Sequence, residues 1–372
     1  MTSEECTICN KFMRKRPVAT RSETLRQRVS RHHINTFSWP ALLDSAAACY
    51  CCKILLTGCR ACFLQHGINE AEIMHGKLRF YYPTSIDYAD TEEIGKELIF
   101  FMRDGSRFDV EMFIDAEDEN PLPQAWDRMP ASRRTSPRTD SIEALATIKG
   151  WIAECTTEHD FCESPEEEPQ LPTRVLDVGL EDGVVKLAET KGARAKYICL
   201  SHCWGLDQII TTTKCTLQPH KREVPWDALS TTFRDAIHLT RTLGYRYIWI
   251  DSLCIVQDDE DDWAVESARM ATVYSNGALT IAATKSPNGQ GGIFSQTQDT
   301  LVSGQTPAGE GYRVFFRELI DHHLESQEEI EGDDTLASNP TSRYFPLLTR
   351  AWVYQERMLS TRVVHFGKYE VC

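Results

Sequence analysis

A short apolar run, Tyr247-Ile248-Trp249-Ile250, stops abruptly at Asp251-Ser252-Leu253-Cys254, and this stop constrains the fold more than any other stretch. A run rich in aromatic and β-branched residues without polar alternation reads as a strand covered on both faces. Polar groups then arrive at its carboxyl end, where open α/β sheets usually place their ligands. Next comes Asp258-Asp259-Glu260-Asp261-Asp262, followed by Trp263 to Tyr274 in helical spacing. Carboxylates crowding a helix start complement its positive end. Trp263, Met270, Val273 and Tyr274 mark one face of that helix. At about 100° per residue Glu266 projects into the same face. A carboxylate there costs several kcal/mol unless paired or neutral. Two readings of Glu266 stand: a structural salt bridge to an arginine, or a functional acid with a raised pKa beside a cleft.

The design repeats upstream. Tyr197-Ile198-Cys199-Leu200 is a buried strand that delivers Ser201 and His202 at its end, before Cys203-Trp204-Gly205. Thr231 to Gly244 is a helix with Phe233, Ile237, Thr240 and Leu243 on its face and Gly244 as its stop. Leu279 to Ala283 forms a further strand, and a helical stretch, Arg350 to Leu359, precedes the strand Arg362 to Phe366. Alternating β and α units predict an α/β fold with a mostly parallel central sheet and flanking helices. Leu171 to Val178 and Val184 to Leu187 read as short strands joined at Glu181-Asp182-Gly183. The polar stretch 296–343 reads as a mobile insertion, apart from the strand-like Tyr312 to Phe316.

The first 115 residues read as a small α+β domain of different character. Leu98, Phe100 and Met102 alternate up to the turn Asp104-Gly105, and Phe108, Val110, Met112 and Ile114 resume the alternation, the pattern of a hairpin. Three Cys-x-x-Cys pairs occur here: Cys6/Cys9, Cys49/Cys52 and Cys59/Cys62. Two such pairs build a tetrahedral thiolate site for zinc, because each two-residue spacer lets both sulfurs reach one ion. Cys6, Cys9, Cys49 and Cys52 are the preferred set, with His32 and His33 as spare ligands. The competing reading packs Cys49, Cys52 and Cys59 as small apolar residues of a helix. Residues 116–140 lose periodicity and read as a flexible linker. The second domain then spans 141–372, opening on an amphipathic helix from Ser141 to Ile152. Cys155, His159 and Cys162 follow that helix as a three-ligand set without an evident fourth.

The 372 residues suffice for two cores. A formal net charge of −15 argues against a broad nucleic-acid surface. Lys11 to Arg31, locally basic, reads as a solvated loop. The polar N-terminus lacks the apolar region of a secretory signal. Ala41 to Leu56 is the most apolar stretch, but Asp44 and Lys53 interrupt it, so no membrane span is expected. Fourteen cysteines in such a chain are expected as thiols, metal ligands or core residues of a cytoplasmic protein.

Three blocks stand in order: YICLSHCWG at 197–205, the segment 246–283 containing YIWIDSLC, and RAWVYQERMLS with RVVHF at 350–366. Together they closely resemble the heterokaryon-incompatibility (HET) domain of filamentous fungi, over about Leu171 to Phe366. The upstream pattern Trp151, Cys155, His159, Cys162 and the segment LPTRVLDVG at 171–179 resemble the leading region of large HET proteins. His202 departs from the tyrosine often found there, and the end at Cys372 comes where relatives usually continue, as expected of a short form or a truncated gene model. The resemblance implies non-self recognition between fungal cells that ends in growth arrest or death. It also implies a distant similarity to TIR domains, hence a TIR/flavodoxin-like sheet and, as in some TIR enzymes, cleavage of NAD at its N-glycosidic bond by a helix-borne glutamate. Asp262-Trp263-Ala264-Val265-Glu266 resembles that arrangement.

Two functions follow as expectations. In the first, NAD or a related nucleotide is the substrate, Glu266 is the key acid, and Asp251, Ser201 and His202 line the cleft. Trp204, Gly205, Ser252 and Trp263 would then contact the substrate. In the second, the chain is a non-enzymatic module that acts with an incompatibility partner protein or by self-assembly. Glu266 is then paired with Arg350 or another arginine, and Arg350, Trp352 and Glu356 are structural or interface residues. A Cys-His hydrolase built on Cys203 or Cys254 lacks a base at readable spacing.

Overall fold

The computed structural model describes residues 6–9, 32–81, 95–118, 123, 129–159, 162, 168–181, 183–206, 210–297, 299–319 and 345–372. In chain order the first elements are β1 (His32–Ser38), α1 (Trp39–Ala46), α2 (Tyr50–His66), β2 (Ile73–Tyr81), β3 (Gly95–Met102), β4 (Arg107–Asp115) and β5 (Ala131–Ser132). Next are α3 (Ile142–Glu158), β6 (Arg174–Asp177), β7 (Lys186–Glu189), β8 (Ile198–Ser201), α4 (Leu217–Arg222), α5 (Thr231–Thr242) and β9 (Tyr247–Trp249). The remaining ones are α6 (Asp251–Cys254), α7 (Glu260–Asn276), β10 (Leu279–Ala282), β11 (Thr300–Gln305), β12 (Gly311–Glu318), α8 (Ala351–Leu359) and β13 (Val363–His365). The chain divides into two compact units, Met1–Thr135 with Gln298–Ser338, and Ser136–Thr297 with Asn339–Cys372.

The first unit holds a sheet in the order β1-β2-β3-β4-β12-β11, antiparallel throughout, with the short β5 added parallel to β4. The hairpin at Asp104-Gly105 forms as its sequence predicts. Gly105 has φ 81°, the Asp104 carboxylate accepts from the Ser106 amide at 2.8 Å, and Leu98 faces Val110 across the ladder. The strands β11 and β12 lie within the segment 296–343, and they complete this sheet through β12 against β4. Residues 320–344 and the basic stretch 11–31 lie outside the described residues. Trp39, Phe63 and Phe100 meet edge to face or tilted at 4.9–5.8 Å in the core. Gly58 in α2 sits where a Cβ would lie 2.3 Å from the Phe316 ring. A glycine inside a helix gives up roughly 1 kcal/mol against alanine, and here that loss permits the helix to lie directly on β12.

The second unit holds a sheet in the order β13-β10-β8-β9-β6-β7. The pairs β13/β10, β10/β8 and β8/β9 are parallel, whereas β9/β6 and β6/β7 are antiparallel. The expected mostly parallel, TIR/flavodoxin-like architecture is therefore incorrect: the described residues form one antiparallel sheet, apart from β5, and one mixed sheet. The physical reason lies in β6 and β7. Their short connection, without a helix among its described residues, makes an antiparallel hairpin, and β6 then docks antiparallel on β9. The strand pairs joined through helices obey the parallel expectation.

Helix starts follow their capping residues. Ser141 accepts from the Ala144 amide at the head of α3, Ser230 from Phe233 at the head of α5, and Asp259 from Asp262 at the head of α7. Helix α5 buries Phe233, Ile237 and Thr240 as its pattern predicts, and ends before Gly244 at φ 87°. Tyr197, Trp249, Tyr274, Phe233 and Phe366 are the large, fully enclosed side chains of this core.

Candidate functional site

The parallel register of β8 and β9, Ile198 to Ile248 and Cys199 to Trp249, brings their carboxyl ends side by side. Ser201, His202 and Asp251 therefore converge, as the two apolar runs suggested. Asp251 opens the short helix α6. Its carboxylate accepts from the Ser252 amide at 2.6 Å and from the indole N–H of Trp204 at 3.0 Å. His202 Nδ1 lies 3.8 Å from the same carboxylate, too far for a hydrogen bond. Burial pulls the His202 pKa down, against the pull of Asp251 in the other direction. Its ring stands edge-on to Phe233 at 4.9 Å, and its Nε2 is enclosed with no hydrogen-bond partner among the described residues. The Ser252 hydroxyl is likewise buried without a partner among the described residues.

The acid at this place comes from the last helix. Ser201 Oγ donates to Glu356 Oε2 at 2.5 Å, and the Glu356 residue is only 7% exposed. Burial raises the Glu356 carboxyl to about 7, and Asp251 raises it further, while Ser201, Arg350 and Tyr274 oppose the shift. Arg350, at the head of α8, donates from Nη1 to the His202 carbonyl oxygen. Glu356 and Arg350 were expected as structural or interface residues, and both join the cluster. Helix α8 inverts the usual pattern: Val353 and Glu356 are buried, whereas Trp352, Tyr354 and Met358 are well exposed. An apolar-stripe reading turns that helix the wrong way, so the interior place of Glu356 was not legible from hydrophobicity.

Residues 197–356 match the family model described as "Heterokaryon incompatibility protein (HET)". The chain carries a HET domain. No curated protein and no solved structure matches the chain. The HET match opens on the β8 strand and closes at Glu356, so both partners of the Ser201–Glu356 hydrogen bond and every other residue of the cluster fall within it.

Glu266, also inside the HET match, is held elsewhere. It is 4% exposed on α7, and its Oε1 accepts from Thr173 Oγ1 at 2.8 Å and from Arg269 Nη1 at 3.3 Å. Arg269 also donates to Thr173 Oγ1 at 2.9 Å, which closes a three-membered network. Among the described residues Glu266 bonds to neither Ser201, His202 nor Asp251. Trp263 is 51% exposed, outside the face it was expected to share with Val273 and Tyr274. The first turn of α7 is anchored by charge instead: Asp262 takes Arg174 Nη2 at 2.5 Å and the Val256 amide at 2.8 Å. Gly205 adopts φ 74° and lies so near Asn288 that a Cβ would fall 2.4 Å from the Asn288 Cβ. That glycine lets the chain leave the cluster in a tight turn. Trp352 is exposed and contributes nothing to the cluster.

Chemically, the cluster offers a carboxyl group poised near neutral pH, a serine hydroxyl bonded to it and a second carboxylate nearby. Ser201, His202 and Ser252 are enclosed, and the Asp251 side chain, 22% exposed, is its link to solvent.

The first unit contains a different chemistry. Cys6, Cys9, Cys49 and Cys52 are all buried, with their sulfurs within 4.8 Å of one another. Cys6 and Cys52 approach to 3.5 Å, and Cys9 and Cys49 to 3.7 Å. A tetrahedron of zinc–sulfur bonds near 2.3 Å has edges of about 3.8 Å, so these sulfurs stand at separations suited to one metal ion. Asn35 donates to the Thr7 and Ile8 carbonyls at 2.5 and 2.7 Å, pinning the knuckle between Cys6 and Cys9 to β1. Ser45 Oγ donates to the Cys52 sulfur at 3.3 Å. Cys52 is held down to about 6, first by Cys9 and against its burial, with Ser45 helping. These four residues can hold a metal. Cys59 and Cys62 stay outside this set and pack in the core. His32 and His33 lie on β1, with their side chains outside the described set.

Proposed function

We propose that the chain acts in heterokaryon incompatibility, in the non-self response of fungal cells that ends in growth arrest or death, as a module engaged by a partner protein or by self-assembly. The observation that supports this reading is the HET match enclosing a buried polar cluster. The cluster ties the β8 strand to the α8 helix, so contact at the exposed face of α8 has a direct route to the carboxyl end of a central strand. The test is inducible expression of the full chain in a filamentous fungus. Wild type arrests growth, and Glu356→Gln, at equal soluble protein level, does not. Unimpaired growth with wild-type protein present would overturn the reading.

A second reading is favoured by one feature, the Glu356 carboxyl raised to about 7 beside Asp251. Strongly shifted acids mark catalytic places. Here the reaction is hydrolysis of the nicotinamide–ribose bond of NAD or a related nucleotide: water adds to the ribose carbon and nicotinamide leaves with the bonding pair. Glu356 would handle the proton and Asp251 would stabilise positive charge on the ribose. Nicotinamide release by purified wild type, lost in Glu356→Gln, supports it. Death without release leaves the assembly reading alone.

The metal of the first unit is proposed to be zinc, which suits four thiolates in a tetrahedron. One zinc per chain, lost in Cys9→Ser, is the expected result. Zinc thiolates and free cysteines fit a reducing compartment, so the cytoplasm is the proposed place of action. Among the described residues no helix is long and apolar enough to cross a membrane.

A further inference from the structure

We propose that Cys155, His159 and Cys162 form a second metal centre at the carboxyl end of α3, a site that takes zinc through these three ligands among the described residues. The three ligand atoms lie within 4.8 Å of one another. Cys162 Sγ stands 3.9 Å from His159 Nδ1, and the Cys162 amide donates to the His159 carbonyl at 2.9 Å, which holds the third ligand beside the second. Zinc–sulfur and zinc–nitrogen bonds of about 2.3 and 2.0 Å require ligand separations near 3.5–3.8 Å. Closing the set on an ion therefore asks for side-chain rotation and no rearrangement of the helix.

Packing does not account for this convergence. Cys199 and Cys254 of the same unit are fully enclosed among apolar neighbours, as thiols used for packing are. Cys155 and Cys162 are only partly buried and His159 is exposed. Three groups that gain little from burial nonetheless point at one place, and a common ion is the interaction that rewards it.

Arg362 supplies the outer shell. Its Nη2 donates to the Cys162 carbonyl at 2.5 Å, and its guanidinium lies beside the Cys155 thiol. The buried Nε of the same guanidinium has no hydrogen-bond partner among the described residues. A guanidinium N–H next to a metal-bound thiolate stabilises its charge and orients it, the usual work of outer-shell donors at metal sites. Among the described residues the ligand set is three, the number that zinc sites with a bound water use. The centre lies outside the HET match, in the segment that leads into it, and it is independent of whether the chain kills cells.

The test uses the full chain kept reduced with a non-thiol reductant, equilibrated with zinc, desalted and analysed for metal. Two zinc ions per chain are expected. Cys155→Ser and Cys162→Ser each remove one, Cys9→Ser removes the other, and the exposed Cys215→Ser removes none. Since the three ligands sit at the surface, circular dichroism of the Cys155 and Cys162 variants should match wild type. In the cobalt-substituted protein, thiolate-to-metal absorption should fall in the Cys162→Ser variant by the share of one centre, and Arg362→Ala should weaken zinc at this site about tenfold. Zinc content unchanged by both serine variants overturns the proposal. So does a Cys155–Cys162 disulfide that forms in air while zinc binding at this place is absent, which would make the pair a redox element.

Discussion

Two buried glutamates within one unit show how the same side chain acquires different potential. Glu266 on α7 and Glu356 on α8 are 4% and 7% exposed. Glu266 meets a guanidinium and a hydroxyl, and Arg269 reaches solvent, so its charge is balanced at the surface. Glu356 meets the hydroxyl of Ser201 and the field of Asp251, with Arg350 turned toward a backbone carbonyl. Burial with compensation yields a strut, whereas burial beside a like charge yields an acid near neutral pH.

The largest expected effect that sharpens this contrast is Glu356→Ala. It removes the acceptor of Ser201 and leaves a cavity beside Tyr274, at a cost of about 3 kcal/mol in urea unfolding. Glu266→Ala should cost less, about 1 kcal/mol, since Thr173 loses its acceptor but still accepts from Arg269 at a position open to solvent. Equal losses would erase the distinction.

The second effect concerns pH. An unhindered glutamate titrates near 4.5, and Glu356 in the folded chain near 7. Between these values the unfolded chain releases a proton that the folded chain keeps. Stability thus falls as pH rises from about 4.5 to 7, by roughly 3 kcal/mol at most from this group, and the loss is complete above 7. Glu356→Gln should be more stable than wild type at pH 8 and lose that part of the slope. A wild-type slope left intact in the variant would assign the titration elsewhere.

Smaller still, Arg350→Ala removes the donor to the His202 carbonyl and should cost about 1–2 kcal/mol. Arg269→Ala, which deletes an exposed partner, should cost about 0.5 kcal/mol or less. A reversed order would mean that Glu266 relies on its arginine more than Glu356 does.

Much of the local structure was legible. The apolar runs before Ser201 and Asp251 are adjacent parallel strands, the capped helices begin at Ser141 and Ser230, and the two preferred cysteine pairs come together. Each rests on spacing along the chain, where side-chain period and capping chemistry act within a few residues. The direction of β6 against β9 was not legible, because pairing between distant strands leaves no periodic trace. Nor was the return of β11 and β12 to the first sheet, separated from β4 by some two hundred residues of chain. The acid of the cluster escaped for a related reason: α8 buries Glu356 and exposes Trp352, contrary to its hydrophobic pattern.

The sequence by itself determined which residues are polar ends of buried strands, which cysteines have ligand spacing and which family the segment 197–356 belongs to. Only the tertiary structure decided which glutamate joins the cluster of Ser201 and Asp251 and which is bonded to Thr173 and Arg269. The reason is electrostatic. A carboxyl's character depends on the charges and solvent within a few ångströms of it, and those neighbours are brought from 155 positions away by folding.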